Sequence, residues 1–140
     1  PGFVQVLDRH TLLLPDAKGN NRLDSFSNIA ETGRAGLLFM IPGVDETLRV
    51  NGEASLSDDA ALLALFAGER NPPRLVMRLH VAEAYLHCAK ALMRSHLWDS
   101  AAQVERSVLP SMGQMISDQT GGSATLESQA QMLARYAADL

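Results

Sequence analysis

Thr47-Leu48-Arg49-Val50-Asn51-Gly52-Glu53-Ala54-Ser55-Leu56 is the stretch that decides the fold. Leu48, Val50, Gly52, Ala54 and Leu56 alternate with Thr47, Arg49, Asn51, Glu53 and Ser55. Successive side chains of a strand point to opposite faces, so this period of two predicts a strand with one buried face and one polar face. The segments on either side have the same character. Ala35–Ile41 is a continuous apolar run ended by Pro42-Gly43, and Leu75, Met77, Leu79 and Val81 alternate in a strand predicted to reach about Leu86. Further upstream, Phe3–Leu7 and Thr11–Leu14 flank Asp8-Arg9-His10 as a hairpin.

Helices fill the gaps. Arg22 to about Thr32 carries Leu23, Phe26, Ile29 and Ala30 at helical spacing, with Gly33 as its stop. Ser57-Asp58-Asp59 caps a helix predicted to run to about Ala67, and Asn71-Pro72-Pro73 breaks the chain again. A short helix is expected over Cys88–Met93. Beyond it the chain changes character, with helices over Pro110–Gln119 and Thr125–Asp139. The stripe of the last helix would be Leu126, Ala130, Leu133, Ala137 and Leu140. Five or six strands in meander order with peripheral helices read as an α+β protein, an antiparallel barrel in a single domain over residues 1–140. Because the chain opens on Pro1 inside a strand-like stretch, residues upstream are expected to belong to the same fold.

Composition narrows the function. The 140 residues carry a net charge of −4 and a pI near 5.5, which argues against general nucleic-acid binding. The apolar run that contains Gly36–Ile41 is too short for a membrane span. No secretory leader is visible, and the single Cys88 precludes an internal disulfide, so a cytoplasmic protein is expected. Cys88 itself reads as a small buried hydrophobe. Ten arginines against two lysines favour bidentate recognition of phosphates or carboxylates, or reflect coding bias.

Few residues invite chemistry. Ser95-His96 are adjacent rather than facing, and no Gly-x-Ser-x-Gly elbow occurs. His80, His87, His96 and Cys88 lack ligand spacing, and in an unbroken strand His80 and His87 point to opposite faces, so no metal site is expected. The carboxylate pairs lie in a turn (Asp45-Glu46) or at a cap (Asp58-Asp59). The loop Gly19-Asn20-Asn21-Arg22-Leu23-Asp24-Ser25 stands out because it leaves a strand and opens a helix. Uncapped backbone N–H groups and the positive end of the helix dipole suit a phosphate there; a plainly capped surface helix is the alternative. Arg49 could reach a groove from its strand face or merely be solvated. Lys90, Arg94 and Ser95 precede Trp98, which could stack on a planar ring or anchor a loop.

Together these pieces carry a resemblance. Pro1-Gly2-Phe3-Val4, Thr11-Leu12-Leu13-Leu14-Pro15-Asp16, Gly19 to Ser25, Gly36 to Gly43, Glu46 to Gly52, and His87-Cys88-Ala89-Lys90-Ala91 with Arg94-Ser95 and Leu97-Trp98-Asp99 resemble the pyridoxamine 5'-phosphate oxidase-related FMN-binding proteins. More narrowly, they resemble a bacterial branch of FMN-dependent proteins of unknown substrate. The resemblance implies a split β-barrel homodimer with FMN in grooves between subunits, and an FMN-dependent oxidoreductase acting on an unknown small molecule. A flavin or small-anion binding protein without turnover is the alternative, since no general acid or base stands out; an apo dimerisation module is a third. Carried over residue by residue, Asn20, Asn21, Arg22 and Ser25 would hold the flavin phosphate. Arg49 would line the groove, and Lys90, Arg94, Ser95 and Trp98 would lie near the flavin, from the partner chain. Family members carry further residues ahead of Pro1 that help form the flavin site. True pyridoxamine phosphate oxidases end in an arginine-rich segment for the substrate phosphate. The acidic-leaning end of this chain, with Arg135 alone, speaks against that substrate.

Overall fold

A computed structural model describes residues 3–19, 21–122 and 127–137. The chain divides into two compact units, Pro1–Trp98 and Asp99–Leu140.

The first unit is α+β. Strands β1 (Gln5–Asp8) and β2 (Thr11–Pro15) form the expected hairpin, followed by helix α1 (Asp24–Thr32), β3 (Arg34–Phe39), β4 (Thr47–Ser57), helix α2 (Ala60–Ala64), β5 (Val76–His87) and helix α3 (Lys90–Ser95). All neighbouring strands are antiparallel, in the order β1-β2-β5-β4-β3. The order departs from the expected meander, because β5 crosses back to lie between β2 and β4. The sheet is not closed: β1 and β3 are its two edges, where a barrel was expected.

Local chemistry sets the boundaries. Gly33 at φ 65° ends α1, its N–H donating to the Ile29 carbonyl, as a left-handed residue after a helix does. Asp59 caps α2 by accepting from the amides of Ala61 and Leu62. In the β1–β2 turn, the His10 N–H donates to Asp8 at 2.8 Å and holds that carboxyl below its ordinary range.

Two cores form on opposite faces of the same end of the sheet. On one face Ile29 of α1, with Phe26 beside it, packs on Val50, Ala54, Met77 and Leu79. On the other, Leu13 and Val76 meet Phe66, with Leu62 and Leu63 of α2 packed against them. Phe66, Leu13, Leu79 and Val76 are the largest fully enclosed side chains.

The alternation along β4 runs unbroken, but β5 contains an irregularity. Val50 pairs with Ala84 and Gly52 with Val81, so two steps on β4 answer three on β5, and Ala82 is the extra residue. Gly52 is required here: a Cβ would come within 1.9 Å of the His80 carbonyl oxygen and 3.1 Å of the Ala82 amide. The bulge reverses the alternation of β5 beyond it. His80 and His87, expected on opposite faces of an extended strand, therefore share one face, paired with Glu53 and Thr47 respectively. Cys88 is exposed, not buried as the sequence suggests, because it leaves the sheet directly after β5.

The second unit contains two 3-10 turns and helices α4 (Met112–Gln119) and α5 (Gln129–Ala137). Gly113 lets α4 lie against the backbone of Glu127, where a Cβ would meet the Glu127 amide at 2.8 Å. Arg135 forks onto Glu127 through Nε at 3.1 Å and Nη2 at 2.7 Å. The buried residue of α5 is Met132, not Leu133, so the expected stripe is rotated by one position; Leu126 and Leu140 lie outside the described residues.

Candidate functional site

A cavity of about 570 Å³ opens where β2 ends and β5 begins. One wall is the segment from Asp16 to Phe26, including Lys18, Gly19, Asn21, Arg22 and Ser25; the other is Asn71-Pro72-Pro73-Arg74. The walls are joined at their base. Pro15 pairs with Val76, and the Asp16 N–H donates to the Leu75 carbonyl at 2.9 Å.

The first wall has the conformation its sequence suggests. Asn21 adopts the left-handed conformation at φ 58°, which asparagine tolerates better than most residues. Leu23 occupies the N-cap of α1, and no side chain caps the helix. Its first amides thus keep their hydrogen-bonding potential and the positive end of the dipole. Arg22 Nε donates to Asp24 at 2.6 Å, which orients the guanidinium beside the cavity. Among the described lining residues the cations are Lys18, Arg22 and Arg74, and the carboxylate is Asp16. Asn20 lies outside the described residues.

The remaining candidates occupy the other end of the sheet. Arg49 is half-buried near the start of β4, paired with Leu38 and Tyr85. The nine steps of β5 from Val76 to Tyr85 correspond to roughly 30 Å of extended strand. Lys90, Arg94 and Ser95 belong to α3, which follows β5 after Cys88 and Ala89. Ser95 turns its hydroxyl back to the Leu92 carbonyl at 3.0 Å, and Arg94 sits in the last turn, where the helix dipole favours a cation. Trp98 donates from Nε1 to the Val44 carbonyl at 2.9 Å, anchoring the turn between β3 and β4. Within one chain, then, Asn21, Arg22 and Ser25 are brought together, while Arg49 and the α3 residues are not brought to them.

Lys18, Asn71 and Arg74 line the cavity without having been singled out from the sequence. Asn71-Pro72-Pro73 reads only as a break, and nothing local announces that β5 returns beside β2. A second, shallower hollow of about 470 Å³ lies along β4 and β5, between Arg34, Glu53, Ser55, Arg78 and His80. The His10 ring approaches His80 there, with centroids 6.1 Å apart. Among the described residues no group of three or more His, Cys, Asp or Glu side chains is placed to hold a metal ion, and no helix is long and apolar enough to cross a membrane.

Two solved structures are similar in fold. Tagged HupZ of Group A Streptococcus is 19% identical with a TM-score of 0.49, covering 60% of this chain and 68% of that one. A single-site alanine variant of the same protein is 16% identical with a TM-score of 0.52, covering 61% and 73%. The second likeness shows the fold of the part it covers and says nothing of its ligand. The comparison with curated proteins found no match. The pyridoxamine 5'-phosphate oxidase family model matches residues 1–88, well over half of the 140. By that match the chain belongs to the pyridoxamine 5'-phosphate oxidase family.

Proposed function

We propose that this chain binds FMN, with the phosphate held in the cavity between the Asp16–Phe26 wall and the Asn71–Arg74 wall. The observation that carries the reading is that cavity itself. In a chain of net charge −4, three cations converge on one concave site beside an uncapped helix start. A phosphate monoester, with about −1.5 to −2 charges at neutral pH, is the complementary ligand. Arg22 and Lys18 would neutralise it, Asn21 and Ser25 would add polar contacts, and Gly19 leaves room for close approach. When bound, the flavin would supply redox chemistry and the protein its placement. The expected role is that of a flavin-dependent oxidoreductase.

We infer further that two copies associate, completing the split barrel around the flavin. The separation of roughly 30 Å between the cavity and Arg49 supports this, since one chain does not present both groups to one ligand. The exposed apolar side chains Leu38, Ile41, Leu48 and Leu86 at the Arg49 end are suited to a second copy. Lys90, Arg94, Ser95 and Trp98 would then reach the flavin from the partner.

A specific observation favours the second reading, binding without turnover: apart from the cations assigned to the phosphate, Asp16 is the one titratable side chain among the described cavity residues, and no histidine is among them. Titration with FMN, followed by quenching of flavin fluorescence, tests the main reading. Arg22→Ala is expected to weaken binding tenfold or more, because hydrogen bonds to a charged group contribute about 1.5–3 kcal/mol. An unchanged dissociation constant removes Arg22 from the site. Bleaching of the flavin's visible band by NADH or NADPH separates the oxidoreductase from the binder.

A further inference from the structure

We infer that Arg74 reads the phosphate from the opposite wall, in addition to Arg22 and Lys18, so that the two-proline segment before it forms an anion wall. The inference rests on the FMN reading above and deepens it. Of the cations lining the cavity, Arg22 is already engaged by Asp24 at 2.6 Å, and Lys18 has a partner of its own. Arg74 is exposed on the opposite wall and makes no hydrogen bond or ion pair with its side chain among the described residues. A cation left unpaired beside two others raises the local potential, and an entering anion relieves it.

The backbone holds this arginine in place. Pro72 and Pro73 fix two φ angles immediately before it. Directly after it, the Leu75 carbonyl accepts the Asp16 N–H, and Val76 pairs with Pro15. The backbone of Arg74 is therefore held beside the first wall by the pairing that follows it, and the two prolines restrict the chain before it, so little backbone ordering remains to be done when a ligand binds. Its planar fork matches a phosphate in two-pronged geometry. Arg70, four residues earlier, carries the same charge but does not line the cavity and already has a partner.

The test uses the full chain, FMN, and riboflavin as the same ring system without the phosphate. Arg74→Gln is expected to weaken FMN at least tenfold while leaving riboflavin affinity unchanged, and Arg74→Lys to recover part of the loss. Arg70→Gln is expected to change FMN affinity less than twofold. If the unaltered chain binds FMN and Arg74→Gln binds it equally well, the inference is overturned and the FMN reading stands. The inference fails in the same way if Arg74→Gln weakens riboflavin as much as FMN, or if Arg70→Gln matches its effect. If the unaltered chain binds neither flavin, both fall. Superimposable circular dichroism of the variants shows that the comparison is made between folded proteins.

Discussion

The two ends of the five-stranded sheet are built from similar residues and end in different states. Where β2 meets β5, the sheet is covered on both faces, by α1 on one and by α2 with Phe66 on the other. Where β5 runs on beyond β2, the same apolar residue types lie open: Leu79 is fully buried, while Leu86, seven residues later on the same strand, is 73% exposed. The bulge at Ala82 returns Leu86 to the face Leu79 occupies, so orientation does not explain the contrast. What differs is the presence of a cover. Buried area, not residue type, sets what a leucine contributes, at about 25 cal/mol per Å² of apolar surface removed from water.

The sharpest way to break this comparison is at the joint between the two ends. Gly52→Ala drives a Cβ into the His80 backbone, which has no rotamer through which to yield, and is expected to cost about 3 kcal/mol or more. Urea unfolding measures it; a midpoint unchanged from that of the unaltered chain would mean that the ladder re-registers freely. Next in size is the leucine pair. Leu79→Ala is expected to cost about 2–5 kcal/mol as a buried truncation. Leu86→Ala should cost within about 0.5 kcal/mol in dilute protein, as a surface change. A Leu86→Ala cost that grows with protein concentration would reveal a second copy covering the far end, as proposed above.

The smallest effect lies in the second unit. Hydrogen bonding from Arg135 holds the Glu127 carboxyl below its ordinary value near 4.5 and raises the guanidinium in turn. For a group with a lowered folded-state value, the stabilisation is present above the unfolded value and is lost as pH falls through the folded one. Helix content followed by circular dichroism should therefore be flat from neutral pH to the ordinary glutamate range and decline slightly below it. Glu127→Gln should lessen that acid limb, leaving the share owed to carboxyls such as Asp8; an identical acid limb in the variant would show that the pair contributes nothing to it. Arg135 is exposed and Glu127 partly so, and the decline is therefore expected to be shallow.

Much of this was legible in advance, and the exceptions have physical causes. The ten-residue alternation of β4 predicts which side chains share a face, because every position meets a partner on β5, but its burial holds only from Val50 onward: Leu48 is exposed and Thr47 is buried. Gly33 and Asp59 act as stop and cap because their effects are local. The cavity's first wall could be read from the loop after β2 for the same reason. Its second wall could not, because Arg74 joins Arg22 only through the pairing of β2 with β5, across some fifty intervening residues. The fate of Trp98 was open for a similar reason: the sequence allows a stacking ring or an anchor, and the contact to Val44 spans 54 positions. The histidine parity failed because a single looped-out alanine between Val81 and Glu83 leaves no signal in the local sequence.

That insertion acts as a phase shift in the longest strand. Removing Ala82 would leave a regular ladder in which Glu83 still pairs with Asn51, Ala84 with Val50 and Leu86 with Leu48, so every side chain beyond the joint would keep its face. Everything before the joint, the anion cavity included, would keep its wiring. What recasts the far extremity is drawing Ala82 into the ladder opposite Asn51: Glu83 would then face Val50, and Ala84 and Leu86 would turn to the side now held by Tyr85 and His87, so the looped-out residue decides which chemistry that extremity presents.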